Sequence, residues 1–273
     1  KTLIEAENIG ADTITDYLSV SFSSTDYVGH VFGPSSLESE DNLFRLDRTL
    51  ANLLAYIDEK VGLENTLIVL SADHGGVDAP GHMKKFGVDA GYFDIDAIDT
   101  LAIKKVLLEE FQITDKLVSG YFHPYVYLDK QAIAKNNLHI DAVSRVLAAE
   151  LRKEKGIFDA IASPDLLEGN VANTPLNTSV LRNYNPRRSG EIYLVFEPFW
   201  FINDFDGLTV ATTHGSPWKY DQHVPVIFMG NGLEANKIYR RIETVDVATT
   251  LSHYLGIKIP SGSSGEALKE VLE

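Results

Sequence analysis

Apolar side chains recur at steps of three and four residues from residue 36 to residue 61, the spacing of one helix face. Acidic residues occupy the first turns of this segment, and Gly62 follows it as a stop. Residues 66–70 then form a continuous apolar run of strand length, and residues 17–22 upstream also have strand composition. Strand, helix and strand in this order predict a βαβ unit with parallel strands that are covered on both faces.

The pattern changes in the middle of the chain. The sequence predicts helices and strands there in mixed order: helix 101–111, strand 121–128, helix 140–153 and strand 191–197. We therefore expect a small α+β subdomain, residues 101–203, inserted into an α/β core made of residues 1–100 and 204–273. The core pattern returns with a short buried strand at 224–229 and a helix at 245–255.

Three short motifs contain five side chains that can bind a metal ion. They are Asp26 and His30 in the segment STDYVGH, Asp73 and His74 in SADHGG, and His214 in TTHGSP. Carboxylate and neutral imidazole are ligands that suit zinc. Five such groups exceed the needs of one tetrahedral ion and fit a site for two ions.

Taken alone, the three motifs differ in how strongly they indicate a metal site. An Asp four residues before a His is common on surfaces, and an isolated loop histidine such as His214 is ordinary. The Asp73–His74 pair is stronger, because it ends a fully apolar strand, where burying an unpaired charge is costly. The alternative interpretation of Asp73 and His74 is a hydrogen-bonded pair that caps the edge of the sheet. Ligands of open α/β sheets bind beyond the carboxyl ends of the strands, so we expect the first two motifs at one sheet edge.

Composition limits the classes of partner. The 273 residues include 24 Lys and Arg against 39 Asp and Glu, a net charge of −15, and no cysteine. The absence of a basic run argues against nucleic acid, and the absence of an apolar run of about 18 residues argues against a membrane partner. A small phosphorylated substrate remains compatible with the charge, because bound dications would reverse the local field.

The motifs together resemble those of the alkaline phosphatase superfamily. The matching stretches are residues 23–34, the helix 41–58, residues 72–75, residues 185–191 and residues 214–225. They are most similar to the single-chain bacterial alkaline phosphatases and to the nucleotide pyrophosphatase/phosphodiesterase branch. The resemblance implies an α/β fold with a mostly parallel sheet covered by helices, and hydrolysis of phosphoric esters with two zinc ions.

The same resemblance implies roles for individual residues. Asp26, His30 and His214 would hold one zinc ion, and Asp73 with His74 the second. The family's Thr or Ser nucleophile and its remaining zinc ligand have no match in this chain. We therefore expect no catalytic residue among these residues, a nucleophile upstream of Lys1, and the N-terminal half of the same enzyme as partner. Family analogy places the enzyme in the periplasm or outside the cell.

Other readings stay open at this point. The same fold could act on phosphodiesters, phosphonates or sulfate esters, and manganese or iron could bind such oxygen and nitrogen ligands. A third hypothesis, which is not an enzyme function, is a non-catalytic domain that retains a metal site. His223, which lies near His214 in DQHVP, is the alternative ligand for that motif.

Overall fold

The computed structural model describes residues 1–99, 101–205, 207–230 and 232–272. Within these residues the helices are α1 (Thr2–Ala6), α2 (Ser24–Phe32), α3 (Leu37–Lys60), α4 (Pro80–Lys84), α5 (Leu101–Phe111), α6 (Lys130–Lys135), α7 (Ile140–Leu151), α8 (Ser163–Glu168), α9 (Pro175–Asn183), α10 (Lys219–Gln222), α11 (Asp246–Tyr254) and α12 (Lys269–Leu272). Short 3₁₀ turns lie at Leu63–Asn65 and Ile95–Asp99. None of the helices in these ranges is long and apolar enough to cross a membrane.

The strands of the described residues are mostly short. They are β1 (Leu67–Ser71), β2 (Gly91–Tyr92), β3 (Val118–Phe122), β4 (Tyr125–Leu128), β5 (Ile157–Ala162), β6 (Ile192–Phe196), β7 (Trp200–Phe201), β8 (Asp204–Phe205), β9 (Leu208–Thr209) and β10 (Val226–Gly230).

The chain divides into two compact units. The first comprises Lys1–Ser23, Asp41–Asp73 and Val224–Glu273, and the second comprises Ser24–Glu40 and His74–His223. The boundary between Asp73 and His74 falls inside one of the predicted metal motifs.

The second unit is built on a four-stranded sheet in the order β3-β4-β6-β5, with every neighbouring pair antiparallel. β6 is one of the two inner strands, and all five of its residues are buried because helices cover both faces of the sheet. One face packs against α5 and α7 through a core that includes Ile103, Leu107, Val143 and Leu147. The other face packs against α8 and α9 through Leu166 and Val180.

The first unit contains a two-stranded sheet in which β1 pairs with β10. This pair is antiparallel, so the parallel arrangement expected for the run at 66–70 is wrong for this pair. A continuous apolar run indicates burial of the strand and carries no information on the direction of its neighbour.

The strand predicted at residues 17–22 is absent from the described structure. A strand needs a neighbour that pairs with its backbone N–H and C=O groups, and no ladder among the described residues includes this segment. Val20 is 51% exposed, so the segment lies open to water instead. The βαβ unit expected from these residues is therefore not formed.

The single strand predicted at 121–128 is two strands. β3 and β4 form an antiparallel hairpin whose connection contains His123 and Pro124, joined by a cis peptide bond. Proline cannot donate a ladder hydrogen bond, and its position here marks the turn. The predicted helix at 101–111 is confirmed, and the helices predicted at 140–153 and 245–255 are confirmed as α7 and α11 with small shifts of their ends.

Candidate metal centre

Asp26 and His30 lie one turn apart on α2. A separation of four residues puts two helical side chains on the same face, and Oδ2 of Asp26 is 3.4 Å from Nε2 of His30. The residues directly before Asp26, from Ser24, form the first turn of this helix. The helix therefore presents a carboxylate and an imidazole side by side.

A backbone carbonyl fixes the ring of His30. Nδ1 of His30 lies 2.9 Å from the carbonyl oxygen of Thr212. A carbonyl only accepts hydrogen bonds, so Nδ1 carries the proton, and the lone pair of the neutral ring is on Nε2. The amide of Thr212 in turn donates to the carbonyl of His30 at 3.2 Å. Two reciprocal bonds thus tie α2 to the segment that leads to His214.

His74 is fixed in the same way. Its Nδ1 lies 2.8 Å from the carbonyl oxygen of Gly75, so this ring also presents Nε2 as its lone-pair nitrogen. Histidines that bind metals almost always donate their other ring N–H to a carbonyl or carboxylate. Both His30 and His74 show this arrangement.

The second and third motifs meet at Asp26. The rings of His74 and His214 stack with their centroids 3.4 Å apart and an angle of 15° between their planes. Oδ1 of Asp26 is 3.9 Å from Nε2 of His74 and 3.7 Å from Nε2 of His214. Ligand atoms of these three residues all lie within 4.8 Å of one another. His30 adjoins the group, with its ring centroid 5.0 Å from that of His214.

This donor set fits a divalent metal ion. One carboxylate and up to three imidazoles converge there, and these are the oxygen and nitrogen ligands that zinc and similar ions bind. The three histidines are partly buried while Asp26 is more open, so small molecules can reach the group.

Asp73, the fifth predicted ligand, is exposed and ends a segment of the first compact unit. Asp26, His30, His74 and His214 all belong to the second unit. His223, the alternative ligand, is exposed at the end of α10 and is not one of the three residues that converge in the described part of the chain.

Two glycines allow the loops that present His74 and His214 to approach other parts of the chain. Gly215 has a φ of +99°, and a Cβ atom there would lie 3.0 Å from Nε2 of His123. A Cβ atom on Gly75 would lie only 1.9 Å from the carbonyl oxygen of Tyr220. A side chain on Gly75 would therefore force the segment of His74 away from Tyr220, and a side chain on Gly215 would be strained by the positive φ.

Sequence reasoning missed Asp221. Its side chain is 4% exposed, and its Oδ2 accepts hydrogen bonds from the amide of Ser216 at 2.8 Å and from the hydroxyl of Ser216 at 2.5 Å. Burial raises the pKa of Asp221, and the bonds from Ser216 oppose that shift. The signal in the sequence was an acidic residue seven positions after His214, just before an apolar strand.

Fold and site together define an α/β protein with a histidine–carboxylate centre suited to a divalent metal ion. The family model for type I phosphodiesterase / nucleotide pyrophosphatase matches residues 2–217, and the chain belongs to this family within the alkaline phosphatase superfamily. The resemblance drawn from the sequence motifs is confirmed.

Individual relatives agree with this family. The chain is 35% identical over 274 residues to the alkaline phosphatase PafA of Elizabethkingia meningoseptica, covering 98% of this chain and 48% of the relative. It is 36% identical over 275 residues to a Myroides odoratus protein described as a calcium-transporting ATPase, covering 100% and 49%. The chain thus spans about half the length of the curated relatives that it matches.

A solved structure confirms the fold class. The crystal structure of the alkaline phosphatase PafA superposes with a TM-score of 0.88 at 34% identity, covering 99% of this chain and 50% of that one. The fold is therefore alkaline-phosphatase-like α/β, as the sequence predicted.

Proposed function

We propose that this chain forms the metal-binding part of a phosphoric-ester hydrolase of the alkaline phosphatase type. The observation that carries the proposal is the convergence of Asp26, His74 and His214, whose ligand atoms lie within 4.8 Å of one another. Membership of the family and likeness to proteins named alkaline phosphatases support the chemistry.

We assign zinc as the metal and two ions as the full complement. Asp26, His30 and His214 hold one ion, and His74 with Asp73 holds the other. This division follows the family resemblance. The carboxylate of Asp26 lies among all three histidines, with Oδ2 3.4 Å from Nε2 of His30 and Oδ1 3.7 and 3.9 Å from Nε2 of His214 and His74. When bound, paired divalent ions activate an oxygen nucleophile and stabilise the charge that develops on the attacking and leaving oxygens of a phosphoryl group.

The chain's own residues prepare this site. The carbonyls of Thr212 and Gly75 hold the Nδ1 protons of His30 and His74, so both rings keep the tautomer in which Nε2 is the ligand atom. Asp26 supplies the negative charge at the centre of the group. Because these positions are fixed before a ligand arrives, little reorganisation is needed on binding.

The whole enzyme needs a nucleophile that these residues do not provide. By the family resemblance it is a Thr or Ser in a segment outside these 273 residues. We propose a small phosphate ester as the substrate, and the periplasm or the outside of the cell as the compartment by family analogy. A phosphodiester is the second candidate substrate, favoured by the match to the type I phosphodiesterase family model.

Metal content per chain tests the site. We expect between about one and two zinc ions per chain by elemental analysis of the purified protein. His214→Ala lowers this number, because it removes one of the three converging ligands. His253→Ala is the matched control, since that histidine bonds the carbonyl of Thr249 within α11 in the first unit and leaves the zinc content unchanged.

Two results would contradict the metal assignment, and a third would contradict the substrate assignment. Unchanged zinc content in His214→Ala rejects His214 as a ligand and moves His223 into its place. A wild-type protein that takes up no zinc, manganese or iron rejects the metal site as a whole. On the full-length protein, a panel of chromogenic esters separates the substrate classes, and faster hydrolysis of sulfate or phosphonate esters than of phosphate monoesters and diesters rejects the phosphate-ester assignment.

A further inference from the structure

Asp221 contacts both loops that carry the stacked histidines. Its carboxylate accepts two hydrogen bonds from Ser216, at 2.8 Å from the amide and 2.5 Å from the hydroxyl. Ser216 lies two residues after His214, so these bonds hold the loop of residues 212–217, here named the His214 loop. The carboxylate is buried, which shields the bonds from competition with water.

The main chain of the same residue holds the other loop. The carbonyl oxygen of Asp221 accepts a hydrogen bond of 2.7 Å from the amide of Gly75, the residue that follows His74. The carbonyl of the preceding residue, Tyr220, occupies the space where a side chain on Gly75 would stand. The segment of residues 74–77, here named the His74 loop, therefore lies directly on α10.

Two loops that are distant in sequence thus share one support. The rings of His74 and His214 can stack at a centroid distance of 3.4 Å because Gly75, which follows His74, and Ser216, two residues after His214, both bond to Asp221. A change of a few tenths of an ångström in either loop would separate ligand atoms that have to reach a common ion or a pair of ions.

We propose that Asp221 is a positioning residue of the metal centre, which sets the spacing of His74 and His214 through its carboxylate and its carbonyl. The proposal rests on the metal-binding function proposed above. Asp221 does not contact the ion or the reacting atoms in this scheme, and it acts through the two loops. Replacing a residue that holds metal ligands in position typically lowers metal affinity by about 10- to 100-fold.

Zinc affinity measured with a competing chelator is the first test. We expect Asp221→Ala to bind zinc about 10- to 100-fold more weakly than the wild type. Asp221→Asn keeps one acceptor oxygen for Ser216, so it recovers part of the affinity. The visible spectrum of the cobalt(II) form, which reports ligand geometry, shifts in Asp221→Ala and returns towards the wild-type spectrum in Asp221→Asn.

The matched control is Asp246→Ala. Asp246 is another buried carboxylate, and its two oxygens accept hydrogen bonds from the amides of Glu243 and Glu266, each at 2.8 Å, within the first compact unit. The Asp246→Ala variant loses a comparable pair of hydrogen bonds. We therefore expect its stability to fall while its zinc affinity stays at the wild-type value. Equal loss of zinc affinity in both variants overturns a positioning role for Asp221, because it would show general destabilisation.

A measurement on the metal-free protein separates this proposal from the proposed function. The ring protons of His74 and His214 feel each other's ring currents, and their NMR shifts move in Asp221→Ala when the stack opens. If the wild type binds no metal, the proposed function fails, and these shifts alone decide the role of Asp221. Unchanged shifts, or wild-type zinc affinity in Asp221→Ala, overturn the positioning role.

A milder variant serves if Asp221→Ala does not fold. Ser216→Ala removes the hydroxyl donor and keeps the backbone donor to Asp221. We expect a loss of zinc affinity of about tenfold or less. Wild-type affinity and an unchanged cobalt spectrum in both Ser216→Ala and Asp221→Asn contradict the proposal.

Discussion

The α-carbon of Gly75 faces the carbonyl oxygen of Tyr220 so closely that a Cβ atom would stand 1.9 Å from that oxygen. The obstacle is backbone, which cannot rotate away as a flexible side chain could. Gly75→Ala therefore displaces the His74 loop from α10 and destabilises the fold by about 1–3 kcal/mol, the range of overpacked sites. Denaturant unfolding measures the stability, and zinc titration measures the loss of affinity that accompanies it.

The next residue provides a matched control for this prediction. A Cβ atom on Gly76 would meet Cγ of Pro34 at 3.8 Å, an ordinary van der Waals distance. Gly76→Ala should therefore keep both the stability and the zinc affinity close to the wild type. Equal effects of the two substitutions would show that close packing against Tyr220 is not the cause.

The core of the second unit gives a prediction that is independent of the metal centre. Leu147 on α7 is completely buried between this helix and the four-stranded sheet. Leu147→Ala leaves a cavity and lowers the free energy of unfolding by about 2–5 kcal/mol. Leu108→Ala, on the neighbouring helix α5 but 51% exposed, should cost far less. Urea denaturation measures the free energy of unfolding of both variants. Equal losses of this free energy would show that α7 is not tightly packed.

The candidate site could be proposed from the sequence because its residues come in short motifs of polar side chains in unusual places, and their role as metal ligands stays a prediction. An Asp–His pair directly after an apolar run has few structural explanations, and His74 indeed lies within 4.8 Å of ligand atoms from two other motifs. The pairing of ions with residues also stays a prediction, because the spacing of the motifs does not determine how the loops fold back. The predicted domain limits at residues 101 and 203 stay a prediction.

The elements that sequence reasoning missed depend on distant parts of the chain. Residues 17–22 have strand composition, but composition does not provide the hydrogen-bonding neighbour that a strand requires. Asp221 looked like an ordinary polar residue, since its two partners are Ser216, five residues away, and Gly75, more than 140 residues away. The helices were predicted more accurately, because the hydrophobic periodicity that indicates α5 and α7 lies within each helix and does not depend on distant residues.

Asp129 caps the N-terminus of α6, and this cap predicts a modest stability effect. Its side chain accepts hydrogen bonds from the amides of Gln131 and Ala132, both at 2.9 Å. Asp129→Ala removes both acceptors and should lower the free energy of unfolding by about 1 kcal/mol. Asp129→Asn keeps an acceptor oxygen and should stay near the wild type. Thermal unfolding followed by circular dichroism measures both, and an equal loss in the two variants would contradict the capping role.

The ion pair between Arg240 and Glu270 makes stability depend on pH in a defined range. Two parallel bonds of 2.6 and 2.8 Å join the guanidinium to the carboxylate. The hydrogen bond from Arg240 is the main cause that lowers the pKa of Glu270 from 4.5 to about 2. A carboxyl whose folded-state pKa is lowered stabilises the fold above its unfolded pKa, and this contribution is lost as the pH falls through the folded value.

The wild type should therefore be more stable than Glu270→Gln at pH 7, and the difference should shrink between about pH 4.5 and pH 2. Both residues lie near the surface, so the effect is small and decreases with added salt. Urea midpoints of the wild type, Glu270→Gln, Arg240→Gln and the double variant across this range form the measurement, with an NMR titration of the Glu270 carboxyl carbon alongside. If the double variant loses the sum of the two single losses at pH 7, the two residues do not interact. A difference that persists unchanged to pH 2 would assign the stabilisation to packing of the side chain of Glu270 instead of to its charge.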